Sequence, residues 1–274
     1  MGSLFMANGN ENYALCPRHT RQNPNLLLDS RDFWLVNPTA SMKLRLKDFA
    51  KYIAFSGDLR RYQKMPRAEK ISWRDLYPCP RERTSTTAFD THYFYQNIWA
   101  FCKIHASGAP AHVDVGSKVD YVGFLSTIMQ VTFIDIRPLV TDLPDLASKA
   151  GSILEMPYPS DSIPSLSCLH VAEHIGLGRY GDPLDPLGTV KACRELKRVL
   201  APGGNLYFGL PIGRPRVCFN AHRIHSPDQI LEYFSGLKLL EFSLVDDAGH
   251  FRQNIEPAHG RDLKYGCGLF QFTK

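Results

Sequence analysis

Between residues 111 and 273, short apolar runs alternate with stretches whose apolar positions recur every three or four residues. The run Ala111-His112-Val113-Asp114-Val115 closes on Gly116 and reads as a buried parallel strand. A helix is predicted over 119–129, and a strand over 131–136 that Arg137-Pro138 halts. A helix near 143–149, a strand near Ser152–Ile153 and a strand over 166–171 follow. The strongest helical stripe spans 186–200. Asp185 is its cap, Pro186 suits its first position, and Leu187, Val190, Cys193, Leu196 and Leu200 share a face. Ala201-Pro202-Gly203-Gly204 ends that helix ahead of a strand over 205–210, and strands over 237–245 and 269–273 close the series. Strands alternating with helices predict an α/β fold: an open, mostly parallel twisted sheet with helices on both faces.

The first third reads differently. Residues 1–40 are rich in Asn, Pro and Arg without a period, and are expected to wrap the surface. A helix is predicted over 42–55, with Ser41 as N-cap, Leu46, Phe49, Ala50 and Ile53 on one face, and Ser56-Gly57 as its stop. Pro66, Pro78 and Pro80 break the polar stretch that follows. A second helix is predicted over 90–105, where Phe94, Ile98, Phe101/Cys102 and His105 recur at helical spacing and Phe94 is expected in the core. The expected organisation is therefore an N-terminal extension over 1–88, helical and irregular, serving as a lid or as the arm of a homodimer. The α/β domain occupies 89–274.

Apolar residues make up 44% of the 274, enough for a sizeable core, and no run approaches the ~18 apolar residues of a membrane span. Residues 1–105 hold 16 basic against 9 acidic side chains, while 106–274 hold 16 against 18. A mildly basic first third favours anionic ligands, but no compact run of Lys and Arg forms a nucleic-acid footprint. Seven scattered cysteines, never spaced Cys-x-x-Cys, argue against a disulfide framework and a zinc ribbon. With no charged leader ahead of an apolar run, a cytoplasmic setting is expected.

Open α/β sheets bind ligands beyond the carboxyl ends of their strands. Asp114 and Gly116 stand after the first strand and Asp135 after the second, 21 residues beyond Asp114. A strand-end acid about 20 residues from a glycine turn is the arrangement that holds a ribose by its hydroxyls. Gly151 to Tyr158 follows the third strand region, His170-Val171-Ala172-Glu173-His174 the fourth, and Leu200-Ala201-Pro202-Gly203-Gly204 precedes the fifth.

In this order and spacing the series resembles class I S-adenosylmethionine-dependent methyltransferases, over about residues 90–274. Within that superfamily, His92 to Gln96, His170 to Pro186, Phe219 to Arg223 and Tyr265 to Gly268 look like a methyltransferase-like group catalogued as a domain of unknown function. The resemblance implies a Rossmann-like class I methyltransferase fold and S-adenosylmethionine as cofactor. It places Tyr93, Asp114, Gly116, Ser117, Asp135, Ile136, Ser152, Ile153 and His170 at the cofactor, and His174 and Glu173 as candidate bases. Arg179, Tyr180, Asp182, Asn220, His222 and Arg223 are expected at the acceptor, a small or carbohydrate-like molecule methylated on oxygen.

The chain departs from the family at three positions. Lys118 and Asp120 replace glycines of the turn, and Ser152 replaces an aspartate. The alternative is accordingly a decayed methyltransferase fold serving as a binding or scaffold module. His170-x-x-Glu173-His174 also matches the inverted zinc-protease pattern, which needs a long helix that the following Gly176-Leu177-Gly178 forbids. His222-x-x-His225, with Cys218 nearby, lacks a carboxylate or cysteine pattern. No metal is expected.

Overall fold

The computed structural model describes residues 38–79 and 82–274, with side chains from residue 49 onward. The expectation for residues 1–37 lies outside the described residues. The described residues divide into two compact units, with the boundary between Thr87 and Ala88.

In the first unit, α1 (Pro38–Gln63) starts before Ser41 and runs straight through Ser56-Gly57. A glycine costs an exposed helix only about 1 kcal/mol, and Ser56 Oγ donates 3.0 Å back to the Tyr52 carbonyl, so neither residue stops it. The expected apolar face is wrong as well: Phe49 and Ile53 are exposed, whereas Phe55 and Leu59 turn inward.

In the second unit, α2 (Thr91–Ala106) begins at the Asp90 N-cap, whose carboxylate accepts from the backbone of His92 and Tyr93. Its buried face is Gln96, Trp99, Ala100 and Ile104, one notch round from the expected stripe. Phe94 is 48% exposed and packs its ring against Phe89 at 4.7 Å rather than entering the core. The strands β1 (Ala111–Val115), β2 (Gln130–Asp135), β3 (Leu146–Ala150), β4 (Ile163–Leu169), β5 (Leu200–Ile212), β8 (Lys238–Val245), β9 (Phe251–Arg252) and β10 (Gly266–Thr273) form one sheet. Its order is β3-β2-β1-β4-β5-β10-β8-β9.

β1 is central, with Val113 paired to Thr132 on one side and Leu166 on the other, and β1 to β5 run parallel. β10 lies antiparallel between β5 and β8. The 3-2-1-4-5 succession is that of a doubly wound nucleotide-binding sheet. α2 and α3 (Val119–Leu125) pack one face around Trp99, Tyr121 and Leu125; α4 (Gly188–Val199) and α5 (Pro227–Tyr233) pack the other around Cys193, Leu196 and Phe234. This is the Rossmann-like class I methyltransferase fold, with helices on both faces.

The predicted helix near 143–149 is the edge strand β3. It buries only Leu146 and takes its backbone partners from β2, so its sequence carries almost no period. Ser152–Ile153, expected as a strand, is the tight turn after it. A hairpin of β6 (Arg216–Cys218) and β7 (His222–Ile224) was not foreseen, and it overhangs the strand ends. The six described cysteines are free. Among the described residues, no helix is long and apolar enough to cross a membrane.

Candidate functional site

The carboxyl ends of β1, β2 and β4 border an open cavity of about 520 Å³ with the N-terminus of α2 and the 179–180 loop. After β1 the chain turns through Gly116 at φ +65°, its N–H bonded to the Ile134 carbonyl at 2.9 Å. That conformation disfavours any residue with a Cβ. A Cβ built there would stand 3.2 and 3.3 Å from the Val171 methyls and 3.5 Å from Asp135 Oδ2. The turn is therefore open only because the residue is glycine.

Asp114 is what holds the turn. It is fully buried, and Ser117 donates to it twice, from N–H at 3.0 Å and from Oγ at 2.7 Å. Ser167 donates to the same Oδ2 that Ser117 Oγ meets. Ser117 Oγ in turn accepts from Leu169 N–H at 3.1 Å, which ties the turn to β4. Burial pushes the Asp114 carboxyl up to about 6, while the three donors oppose that rise. Both oxygens are consumed, so Asp114 is a positioning residue and not, as expected, a cofactor contact.

Asp135, by contrast, faces the cavity. Its Oδ1 accepts from Arg137 N–H at 2.7 Å, and its Oδ2 has no hydrogen-bond donor among the described residues. Tyr93, Gly116, Ser117, His170, His174, Arg179 and Tyr180 line the same wall. Lys118 also lines it, but its Nζ lies over the Tyr93 ring at 4.4 Å and the hollow remains. Asp120 is exposed in the first turn of α3, away from the wall.

The segment Arg137-Pro138-Leu139-Val140, absent from the sequence-based candidates, forms the side wall with Phe133 and Val119. Ser148 Oγ accepts from Leu139 N–H at 2.9 Å and fixes it. Its signal was its position directly after the strand-end acid, where the strand-end rule applies as much as to Asp135 itself.

His170 sits at φ +57°, an unusual conformation for a side-chain-bearing residue, with its ring edge-on to Tyr93 at 5.0 Å. Glu173, on the 3-10 turn Ala172–His174, is 1% exposed and does not reach the cavity, contrary to its expected role as a base. Its Oε1 lies 3.4 Å from His170 Nδ1 and 3.7 Å from His174 Nε2. Burial pushes its carboxyl up to about 8, so it is protonated at neutral pH.

His174 reaches the wall. Its Nδ1 lies 2.6 Å from the Ala221 carbonyl and must carry the proton there, which leaves Nε2 as an acceptor. Burial holds this imidazole down at about 4, hence neutral. Arg179 donates to the same carbonyl at 3.2 Å. The guanidinia of Arg137 and Arg179 both lie over the Tyr180 ring, at 4.6 and 5.2 Å.

Other expected contacts are placed elsewhere. Ile136 is exposed outside the wall, and Ile153 belongs to the core. Ser152 Oγ accepts from Leu154 N–H at 3.1 Å within its own turn. Asp182 accepts from Gly176 and Tyr180 N–H and staples its loop. Arg223, 6% exposed, donates to the Ile175 and Asp185 carbonyls at 2.5 and 2.9 Å. It clamps that loop instead of meeting an acceptor. Asn220 donates 3.3 Å to the Leu177 carbonyl, and the His222 ring lies against Tyr265 at 5.2 Å, tilted by 38°.

The strand order, with β10 antiparallel between β5 and β8, gives the Rossmann-like class I methyltransferase fold, with a glycine turn after β1 and a carboxylate after β2 at its ligand-binding edge. A family model described as "Caenorhabditis protein of unknown function, DUF268" matches residues 159–254, from the start of β4 past β9. No curated protein matches the chain. Among solved structures, the chain is similar to the N-methyltransferase NodS from Bradyrhizobium japonicum WM9 in complex with S-adenosyl-L-homocysteine. That likeness has 18% identity and a TM-score of 0.44, covering 79% of this chain and 96% of that one. It is also similar to a sarcosine dimethylglycine methyltransferase, so named provisionally, from Galdieria sulphuraria, at 16% identity and a TM-score of 0.46, covering 65% and 85%. A third likeness is the [4+2]-cyclase SpnF, at 15% identity and a TM-score of 0.43, covering 61% and 75%.

Proposed function

We propose that this protein is an S-adenosylmethionine-dependent methyltransferase acting on an oxygen of a small or carbohydrate-like acceptor. One observation carries the reading: the undonated Oδ2 of Asp135 beside the open backbone of Gly116, at the head of a cavity of about 520 Å³. A carboxylate in that place accepts two ribose hydroxyls, and the missing Cβ lets the sugar approach. The residues present fit an adenosyl group: Phe133, Leu139 and Val140 offer apolar surface, and Lys118 offers a cation for the cofactor's carboxylate.

When bound, S-adenosylmethionine supplies a methyl group already activated by a positive sulfur. The chain's own residues then need only align the acceptor and remove its proton. Alignment alone is worth several kcal/mol of barrier, roughly 7–11 in the best model reactions. His174 is the titratable wall residue proposed as the base, with its tautomer fixed by Ala221 and its Nε2 lying 3.7 Å from the buried Glu173 Oε1. Tyr180, with Arg137 and Arg179 against it, forms the acceptor-side rim and suits a polar or anionic molecule. Glu173 touches neither ligand in this reading.

Calorimetric titration with S-adenosylmethionine and S-adenosylhomocysteine tests the proposal. Micromolar binding with one site per chain supports it. Absence of heat and of a thermal shift at millimolar ligand defeats it, and leaves a decayed site that serves as a binding module.

A further inference from the structure

Beside the cavity lies a group of three side chains of which only His170 lines the wall. His92 comes from the first turn of α2, His170 from the end of β4 and Cys267 from the start of β10. One ligand atom from each lies within 4.8 Å of the other two. Residues 78 and 97 positions apart converge only because the first turn of α2 meets the end of β4 and the start of β10. His170 and Cys267 are buried and His92 is partly buried.

Two features of this group are unexplained by packing. His170 Nδ1 and Glu173 Oε2 are buried without a hydrogen-bond partner. Buried polar atoms are nearly always paired, so an orphaned pair marks something that the fold alone does not supply. Cys267 Sγ likewise has only a long contact, 3.9 Å to Gln96 Oε1.

We propose that His92, His170 and Cys267 bind a zinc-class divalent ion, with Glu173 as the carboxylate behind the His170 ring. Two imidazoles and a thiolate are the donor set that zinc selects over magnesium or calcium. Tetrahedral coordination at 2.0–2.3 Å needs donors about 3.3–3.8 Å apart, so side-chain rotations of the order of an ångström close the site. His170 Nδ1 faces Glu173 Oε1 at 3.4 Å, which leaves Nε2 for the ion. A metal-bound histidine whose other nitrogen donates to a carboxylate is the usual supporting arrangement for such an ion.

Binding would take the proton from the Cys267 thiol, release it to solvent, and let Glu173 ionise against the now cationic His170 unit. The orphaned His170 Nδ1 would then donate to Glu173 Oε1, 3.4 Å away. Three protein donors leave one position open, and His170 itself lines the cavity, so the ion would sit one ring away from it.

The test uses the full chain, untagged, without S-adenosylmethionine, so its outcome is independent of the cofactor reading. The metal content of the purified protein is measured by mass spectrometry, and zinc and cobalt(II) are titrated into chelator-stripped protein. The expected result is one zinc per chain and a thiolate-to-cobalt charge-transfer band. Cys267→Ser should remove the band, and His92→Gln should weaken zinc at least 100-fold. Zinc at a hundred times its Kd should raise the Tm by about 5–10 °C. Should Cys267→Ser fail to fold, the partly exposed His92→Gln carries the test alone. A wild-type chain with neither retained zinc nor a zinc-dependent Tm overturns the proposal. So does zinc binding unchanged in a folded His92→Gln variant.

Discussion

Replacing Gly116 with alanine should cost more in cofactor affinity than in stability, and the geometry gives both sizes. At φ +65° an L-residue pays about 1–2 kcal/mol. The new methyl would meet only the Val171 side chain closer than 3.4 Å, and that can shift by a few tenths of an ångström. A domain of this size should lose about 2–8 °C in Tm. The same methyl stands 3.5 Å from Asp135 Oδ2, in the space a ribose hydroxyl must enter. Losing one hydrogen bond to a charged acceptor is worth about 1.5–3 kcal/mol, or roughly 10–150-fold in Kd for S-adenosylhomocysteine. Gly203→Ala is the control: it carries φ +72° and meets nothing within 4 Å. It should pay the backbone strain and keep the wild-type affinity in calorimetry. Equal affinities for both variants, or equal losses, would refute the cradle.

Further outcomes follow from the residues around the turn. Lys118→Gly should tighten binding of the uncharged nucleoside adenosine, since the lysine narrows the wall, while weakening carboxylate-bearing ligands; calorimetry on both reads the split. Arg223→Met removes two donors from the Ile175 and Asp185 carbonyls, a loss of roughly 1.5–3 kcal/mol each at most, and should open the 176–185 loop to limited proteolysis. Asp114 has its folded value raised to about 6 from an ordinary 3.8, so the native state holds more protons than the unfolded chain between those values. Stability therefore falls as pH rises through that window, by roughly 3 kcal/mol from this group. Urea unfolding of wild type and Asp114→Asn between pH 4 and 7 should show a difference that shrinks toward the acid end for this reason. A difference independent of pH would remove the buried-carboxylate account.

The strands that build the site were legible because they are largely buried and read as short, mostly apolar runs that end on an acid or a glycine, as in 111–115 and 130–135. β3 was not, since an edge strand with one buried side chain looks like any polar stretch. The same limit governed side chains. Asp114 and Asp135 are alike in sequence, both strand-end acids, but three donors enclose the first, while Arg137 alone meets the second, through its backbone N–H at 2.7 Å and its Nε at 3.7 Å. Which acid faces a ligand depends on Ser167, 53 positions away. Arg223 and Asp182 look like rim contacts until the loop they fasten is seen. The meeting of His92, His170 and Cys267 has no local signature at all, because three separate elements bring it about. The α2 stripe failed for a simpler reason: an aromatic-rich helix offers two apolar faces, and only packing decides between them.

The grip of Asp135 on a ribose is tested most directly by a double-mutant cycle between protein and ligand. S-adenosylhomocysteine and its 2′-deoxyribose analogue are titrated into wild type and into Asp135→Ala. In the wild type, removing the hydroxyl should weaken binding roughly 10–100-fold, the worth of a hydrogen bond to a carboxylate. In Asp135→Ala the two ligands should bind alike. An equal loss in both proteins would mean that the carboxylate and the sugar never meet.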